Sequence, residues 1–445
     1  MKMPGFFAVG VLLAACGDKQ EPTTSVSPTF ATFTDPSADP SGDPGGVPTS
    51  GETGDTGDTD DTGIAPPPAI DGVDVLFVID NSGSMAEEQE KLAAAMDALL
   101  DRLPDDFRIG FTTTDSGNPR CNNTTPESGR LVLSSCLDRV ETGEFVASDI
   151  DYSQACTNGC GLRDSDLTVT PTATDVDGPA PRKWIEVKDG VSNIEGASVN
   201  EAVRCYAPMG VAGCGFESHL ESMYRALAAS KDKASTTNYG FLREGAALAI
   251  VIVSDEADCS YNPMYDDIFT TNKVFWYDPA IDVAPSSSMC WDAGVRCEGS
   301  APTFSACSAE DYDKDGNPDV ADDKAVLYPV GKYIDFVQEI AAAKQGQPVL
   351  VSLIAGVPIG YDSFDAEIPY EDSPDPYYQS LFGIGPGCFV GPVDSPTATA
   401  VPPVREREFA EAFGSSGDRR DVYSICDDDY SAALAAIGDA ISAAL

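Results

Sequence analysis

The stretch from Asp74 to Asp80 reads Asp-Val-Leu-Phe-Val-Ile-Asp and is apolar at adjacent rather than alternate positions. That pattern predicts a strand buried on both faces of a parallel sheet. After the polar turn Asn81-Ser82-Gly83-Ser84, the residues Leu92, Met96, Leu99 and Leu103 recur at helical spacing, and Pro104 stops the helix. A second strand is expected over Phe107 to Thr113, a third over Ala247 to Ser254 and a fourth over Val349 to Ala355. Helical periodicity returns at Leu220, Met223 and Leu227, at Tyr333, Val337 and Ile340, and at Tyr430, Leu434, Ile437 and Ile441. Strands alternating with helices predict an α/β fold, a doubly wound, mostly parallel sheet.

Two stretches break the rhythm, at about 116–200 and 259–328. They hold most of the cysteines and many Gly, Pro and Asp residues. They are expected to be long disulfide-rich insertions on the edge or top of the sheet, where loops of such length are commonly functional. About 380 residues follow residue 66, more than one simple α/β domain needs, which leaves room for such insertions within a domain over 67–445.

The N-terminus changes the picture of where the chain works. The apolar run from Phe6 to Ala15 follows a short, weakly basic start, Met1-Lys2-Met3, and at about ten residues falls short of the roughly 20 that cross a bilayer. It ends in Leu13-Ala14-Ala15-Cys16, which resembles the lipobox of bacterial lipoproteins. The resemblance implies a signal peptide over 1–16 and acyl chains on Cys16; an ordinary signal peptide ending in Cys is the alternative. Residues 17–66 are Pro, Gly, Ser, Thr and Asp with few aliphatics, as in Gly51-Glu52-Thr53-Gly54-Asp55, and read as a disordered acidic linker. Gly17 replaces the Asp that in some bacteria retains lipoproteins at the inner membrane. The expected place is therefore the cell envelope, at the outer membrane or cell surface, with the lipid as the one membrane contact.

Net charge is -46, from 73 acidic and 27 basic residues, so nucleic acid and anionic membrane surfaces are poor partners. Of 13 cysteines, all but Cys16 can pair, up to six disulfides in an oxidising compartment. Short loops such as Cys156 to Cys160, Cys205 to Cys214 and Cys290 to Cys297 are plausible pairs, though spacing leaves the connectivity open. A thiolate metal cluster is the weaker reading. The single histidine, His219, excludes multi-histidine zinc hydrolases.

Ligands of open α/β sheets bind beyond the carboxyl ends of the strands. The first strand ends in Asp80-Asn81-Ser82-Gly83-Ser84, a D-x-S-x-S turn, which aims the Asp80 carboxylate and the Ser82 and Ser84 hydroxyls at one point if Gly83 allows the bend. These hard oxygen donors suit Mg2+ or Mn2+, with metal–oxygen distances near ~2.1 Å for Mg2+. The strand ending in Val253-Ser254-Asp255-Glu256 delivers Asp255 to the same edge.

Asp74 to Met85, DVLFVIDNSGSM, resembles the opening of von Willebrand factor A-type domains, and Asp255 falls where they place a second aspartate. The similarity covers the core elements and leaves the insertions unexplained. It implies a metal-ion-dependent adhesion site whose cation keeps a position open for a carboxylate of a protein partner. The family also supplies a threonine before the next helix; the matching residue here is Glu217, with Ser218 as the fallback ligand. A third acid is expected to tighten cation binding and to weaken attraction for an acidic partner residue. The alternative is a degenerate domain that holds no metal.

Asp311, Asp313, Asp315, Asn317, Asp319 and Asp322 fit the D-x-D-x-D-G calcium-loop spacing around Gly316, with Asp rather than Glu in the last position. A structural Ca2+ is expected there. Asp255-Glu256-Ala257-Asp258 spells a helicase string by coincidence, since no phosphate-binding G-x-x-x-x-G-K-[ST] loop accompanies it. His219 is read as a surface or capping residue, and Trp276-Tyr277 and Tyr377-Tyr378 as core packing. The expected function is cation-dependent binding rather than catalysis. The rival is a structural envelope protein stabilised by calcium and disulfides, its metal site vestigial. A hydrolase fares worst, because nothing but His219 and the cation ligands offers a nucleophile or base.

Overall fold

The computed structural model describes residues 72–344, 346–392, 396–414 and 420–445. The expected signal peptide, its Cys16 and the 17–66 linker lie outside these residues. A central sheet is formed by β1 (Val73–Ile79), β2 (Phe107–Thr113), β3 (Ile185–Lys188), β4 (Val191–Ser192), β5 (Ala247–Val253), β6 (Val349–Ala355) and β7 (Val422–Ser424). It is 7-stranded, in the order β7-β6-β5-β1-β2-β3-β4. The pairs from β7 through β2 are parallel, whereas β3 and β4 add antiparallel to the β2 edge.

Helices lie on both faces because each buried strand offers side chains alternately to each. Val73, Val75, Phe77 and Ile79 of β1 face Leu92, Met96 and Leu99 of α1 (Ala86–Leu100), α2 (Val199–Tyr206), and Leu434, Ile437 and Ile441 of α6 (Ser431–Ala444). Leu76 and Val78 face Leu220, Met223 and Leu227 of α3 (His219–Lys231), Tyr333, Val337 and Ile340 of α4 (Val330–Ala343), and Phe409 of α5 (Val404–Glu411). Each such aliphatic or aromatic side chain contributes about 1.5–3 kcal/mol on leaving water. At the amino end of the sheet the buried Asp74 is held by Arg243 Nε at 2.7 Å and by the Arg243 amide at 2.7 Å.

Register fixes the functional edge. Val73 pairs with both Phe107 and Ala247, and Ile79 with both Thr113 and Val253, so β1, β2 and β5 end level. Asp80, Thr114 and Ser254 therefore stand side by side just past the strands. The Asp80 amide donates to Val253 O at 2.9 Å and the Thr114 amide to Ile79 O at 3.2 Å, so the ladder continues one step into the turns.

The two irregular stretches depart from expectation in opposite ways. The first is not wholly appended to the sheet: it supplies β3 and, through the turn Asp189-Gly190, β4. Both turn residues have positive φ, 51° and 73°, the type I′ geometry that suits a two-residue hairpin. The second stretch builds its own small core around Ile268, Phe269, Phe275, Trp276 and Met289, and a hairpin of Val295–Ser300 and Thr303–Ala309 whose Val295 and Cys307 join the core on the α3 side of the sheet. Trp276 belongs to that core, whereas Tyr277 and Tyr377 are exposed.

The disulfides are Cys121–Cys214, Cys136–Cys156, Cys160–Cys205, Cys259–Cys290, Cys297–Cys307 and Cys388–Cys426. None of the short-loop pairs suggested by spacing forms. Nearness in sequence misleads here because each cysteine pairs with an element the fold brings beside it. Disulfides in this number point to an oxidising, extracytoplasmic environment. No helix among the described residues is long and apolar enough to cross a membrane.

Candidate metal centre

Asp80 is fully buried at the carboxyl end of β1. Its Oδ1 accepts from the Ser82 amide at 2.7 Å and its Oδ2 from Ser254 Oγ at 2.6 Å. The Ser82 and Ser84 hydroxyls lie 3.1 Å apart, and Ser84 Oγ donates to Asp255 Oδ1 at 3.2 Å. A short run of oxygens thus leads from the Ser82 hydroxyl through Ser84 to Asp255 at the end of β5, with Asp80 tied to it through the Ser82 amide and Ser84 exposed at its mouth. Gly83 lies in the turn without a left-handed backbone. Its requirement is space, since a Cβ there would meet Ala147 Cβ at 3.3 Å.

The turn is braced from α1. Gln89 Nε2 donates to Asp80 O at 2.8 Å and to Gly210 O at 2.7 Å, and its Oε1 accepts from the Met209 and Gly210 amides at 2.8 and 3.1 Å. One side chain thereby ties the Asp80 turn to the segment following α2.

Glu217 is buried at the same edge, its Oε2 accepting from Thr114 Oγ1 while Oε1 has no partner. Ser218 Oγ donates to Cys259 O at 3.1 Å. Burial, then the charges of Asp80 and Glu256, hold the Glu217 carboxyl well above its ordinary range. Burial and the same two neighbours raise Asp255 likewise, and Glu256, half-buried, is pushed up to about 8 by burial and Asp80. Acids are crowded here beyond what nearby cations offset.

The carboxylates do not close on one point by themselves. Among the described residues, the only three His, Cys, Asp or Glu ligand atoms within 4.8 Å of one another are the sulfurs of Cys136, Cys156 and Cys160, all in disulfides. At the sheet edge the serine hydroxyls fill the gaps between the acids. All-oxygen donors of this spacing are of the kind a hard cation takes when it keeps some of its water, and Glu217 Oε1 is a buried oxygen at the same edge.

His219 is not a surface residue. It is fully buried at the start of α3, with Nδ1 2.8 Å from Glu406 Oε1, 4.0 Å from Asp258 Oδ1, and Nε2 4.0 Å from Asp80 Oδ2. Neither ring nitrogen has a well-aligned hydrogen bond, so these are charge contacts. Burial lowers its pKa, but Asp80, Glu406 and Asp258 outweigh burial and raise it to about 10. The ring is an imidazolium at neutral pH, a fixed positive charge behind Asp80. Asp258 is also held by Arg405 Nε at 3.0 Å.

The Asp311 loop folds as a tight acidic turn, using its own donors. Asp313 Oδ1 accepts from the amides of Asp315 and Asn317 at 2.9 and 3.0 Å, and Asn317 Nδ2 reaches both Asp313 oxygens. Asp315 pairs with Lys314 at 3.0 Å, and Asp319 approaches Arg296 at 3.7 Å. Asp322 opens a short 3-10 turn, and burial, against the opposing charge of Arg405, raises the half-buried Asp311.

Ser254, Thr114 and Gln89 join the site without having been expected in it. Thr114 was legible as the residue next past one expected strand and Ser254 as the last residue of another; Gln89 and His219 depend on partners far away in sequence. No protein-family model matches the chain, and a search of curated proteins finds no relative.

Proposed function

We propose that this chain is an exported, lipid-anchored binding protein built on a von Willebrand factor A-type domain, which captures a protein partner through a divalent cation at the Asp80 edge. Asp80, Ser82, Ser84 and Asp255 are the ligand set, joined by Glu217, with Mg2+ or Mn2+ as the cation. The observation that carries the reading is the gathering of Asp80, Ser82, Ser84 and Asp255 at one sheet edge, where the Ser82 amide holds Asp80 and the hydroxyls of Ser82 and Ser84 lead on to Asp255, with Ser84 exposed. A bound cation there would supply a Lewis-acidic position for a partner carboxylate. The protein's own residues hold and orient the site: Ser254 and the Ser82 amide fix Asp80, Gln89 fixes the turn, and His219 offsets part of the charge. In this reading the Asp311 loop takes a structural Ca2+, and the chain works at the outer membrane or cell surface without catalysing a reaction.

The open position can be tested directly. Mn2+ bound at the site enhances water proton relaxation, and an aspartate-containing peptide should reduce that enhancement by displacing a bound water. An unchanged enhancement at saturating peptide would exclude carboxylate capture. A second reading, a structural envelope protein with a vestigial site, is favoured by one feature: both Asp80 carboxylate oxygens already accept protein hydrogen bonds. Partner capture that persists with the cation removed would favour it.

A further inference from the structure

Two disulfides lie against each other on the α1 side of the sheet. Cys136 bonds Cys156, and Cys160 bonds Cys205. Cys156 and Cys160 sit one helical turn apart, the Cys160 amide donating to Cys156 O at 2.9 Å. The sulfurs of Cys136, Cys156 and Cys160 therefore fall within 4.8 Å of one another, in a buried setting that holds them together. No other three cysteines of the described residues meet this way. Thiol–disulfide exchange needs an attacking thiolate in reach of a disulfide sulfur, and this cluster supplies that contact whichever bond opens first.

We propose that Cys136, Cys156, Cys160 and Cys205 form one exchange site, in which a reducing equivalent entering either disulfide passes to the other. A dithiol reductant opens Cys136–Cys156. The Cys156 thiolate then attacks Cys160 Sγ, a Cys156–Cys160 bond forms, and the Cys160–Cys205 bond breaks with its electron pair leaving on Cys205. The proton given up by the attacking thiol goes to the released one, so this step involves no net oxidation. Release of Cys205 matters for the fold because it lies in α2, and the segment just beyond holds Gln89 and thereby the Asp80 turn. The exchange itself is independent of cation binding.

The test is the pairing found in Cys136→Ser, mapped by mass spectrometry after acid quench and alkylation. Exchange predicts a Cys156–Cys160 crosslink with label appearing on Cys205. An intact Cys160–Cys205 bond with all label on Cys156 would overturn the proposal. If that variant does not fold, the wild-type protein treated with limiting dithiothreitol gives the same answer. Non-native pairs within the four cysteines support exchange, and only native pairs with free thiols confined to native partners refute it. Cys426→Ser, which frees Cys388 away from the cluster, sets the background and should yield no new pair.

Discussion

At the scale of single residues, His219 bears most on the site. It is a buried cation among Asp80, Asp258 and Glu406, and removing one member of such a buried group leaves uncompensated charge at a cost of about 3–5 kcal/mol. His219→Gln is therefore expected to lose stability of that order in urea denaturation at pH 6. The pH dependence follows from the sign of its shift. A folded pKa of about 10 against an ordinary 6.5 gives a stabilisation complete below pH 6.5 and lost as pH rises through 10. The gap between wild type and variant should narrow across that window; a gap that stays constant would show that packing, not charge, is what the imidazole supplies. Nothing near position 219 in the sequence announces this, because its partners at 80, 258 and 406 meet it only in the fold. Asp80, Ser82 and Ser84 were legible because a motif at a strand end needs only local geometry, whereas Asp255 was read from the end of a second apolar strand.

At the scale of elements, four of the parallel strands were readable because a strand covered on both faces is largely apolar at adjacent positions, and their expected limits hold within a residue, whereas the three-residue parallel strand β7 was too short to leave such a pattern. β3 was missed because it is short, carries the buried Glu186 paired with Arg108 at 2.8 Å, and sits among cysteine-rich loops. The Asp189-Gly190 pair was the one available sign of its hairpin. Gln89 of α1 braces the Asp80 turn against the segment following α2. Gln89→Ala strands the Asp80 and Gly210 carbonyls and the Met209 and Gly210 amides. Unpaired buried polar groups cost about 1–3 kcal/mol each, so a loss of about 3 kcal/mol is expected after partial rehydration. Thermal melting would measure it, together with a weaker cation affinity. Wild-type affinity in a destabilised Gln89→Ala would separate the brace from the site.

The whole molecule combines a net charge of -46 with six disulfides among the described residues. Self-repulsion of that size destabilises a compact chain, and covalent closure works against it by restricting the unfolded state. Cys121–Cys214 spans 93 residues and anchors the loop leading to Glu217. The doubly substituted Cys121→Ser, Cys214→Ser protein should lose about 4 kcal/mol on loop-closure grounds, and more at low ionic strength than at high. A loss independent of salt would mean that charge repulsion is not what the bond opposes.

The central claim is that the Asp80 edge holds a divalent cation. Calorimetric titration of the purified protein with Mg2+ or Mn2+, beside Asp80→Ala shown to be folded by its melting curve, tests it most directly. The account predicts saturable binding in the wild type that disappears in the variant, with Ca2+ binding at the Asp311 loop retained in both. Absence of saturable Mg2+ or Mn2+ binding by the wild-type protein, or binding that survives Asp80→Ala unchanged, would contradict it.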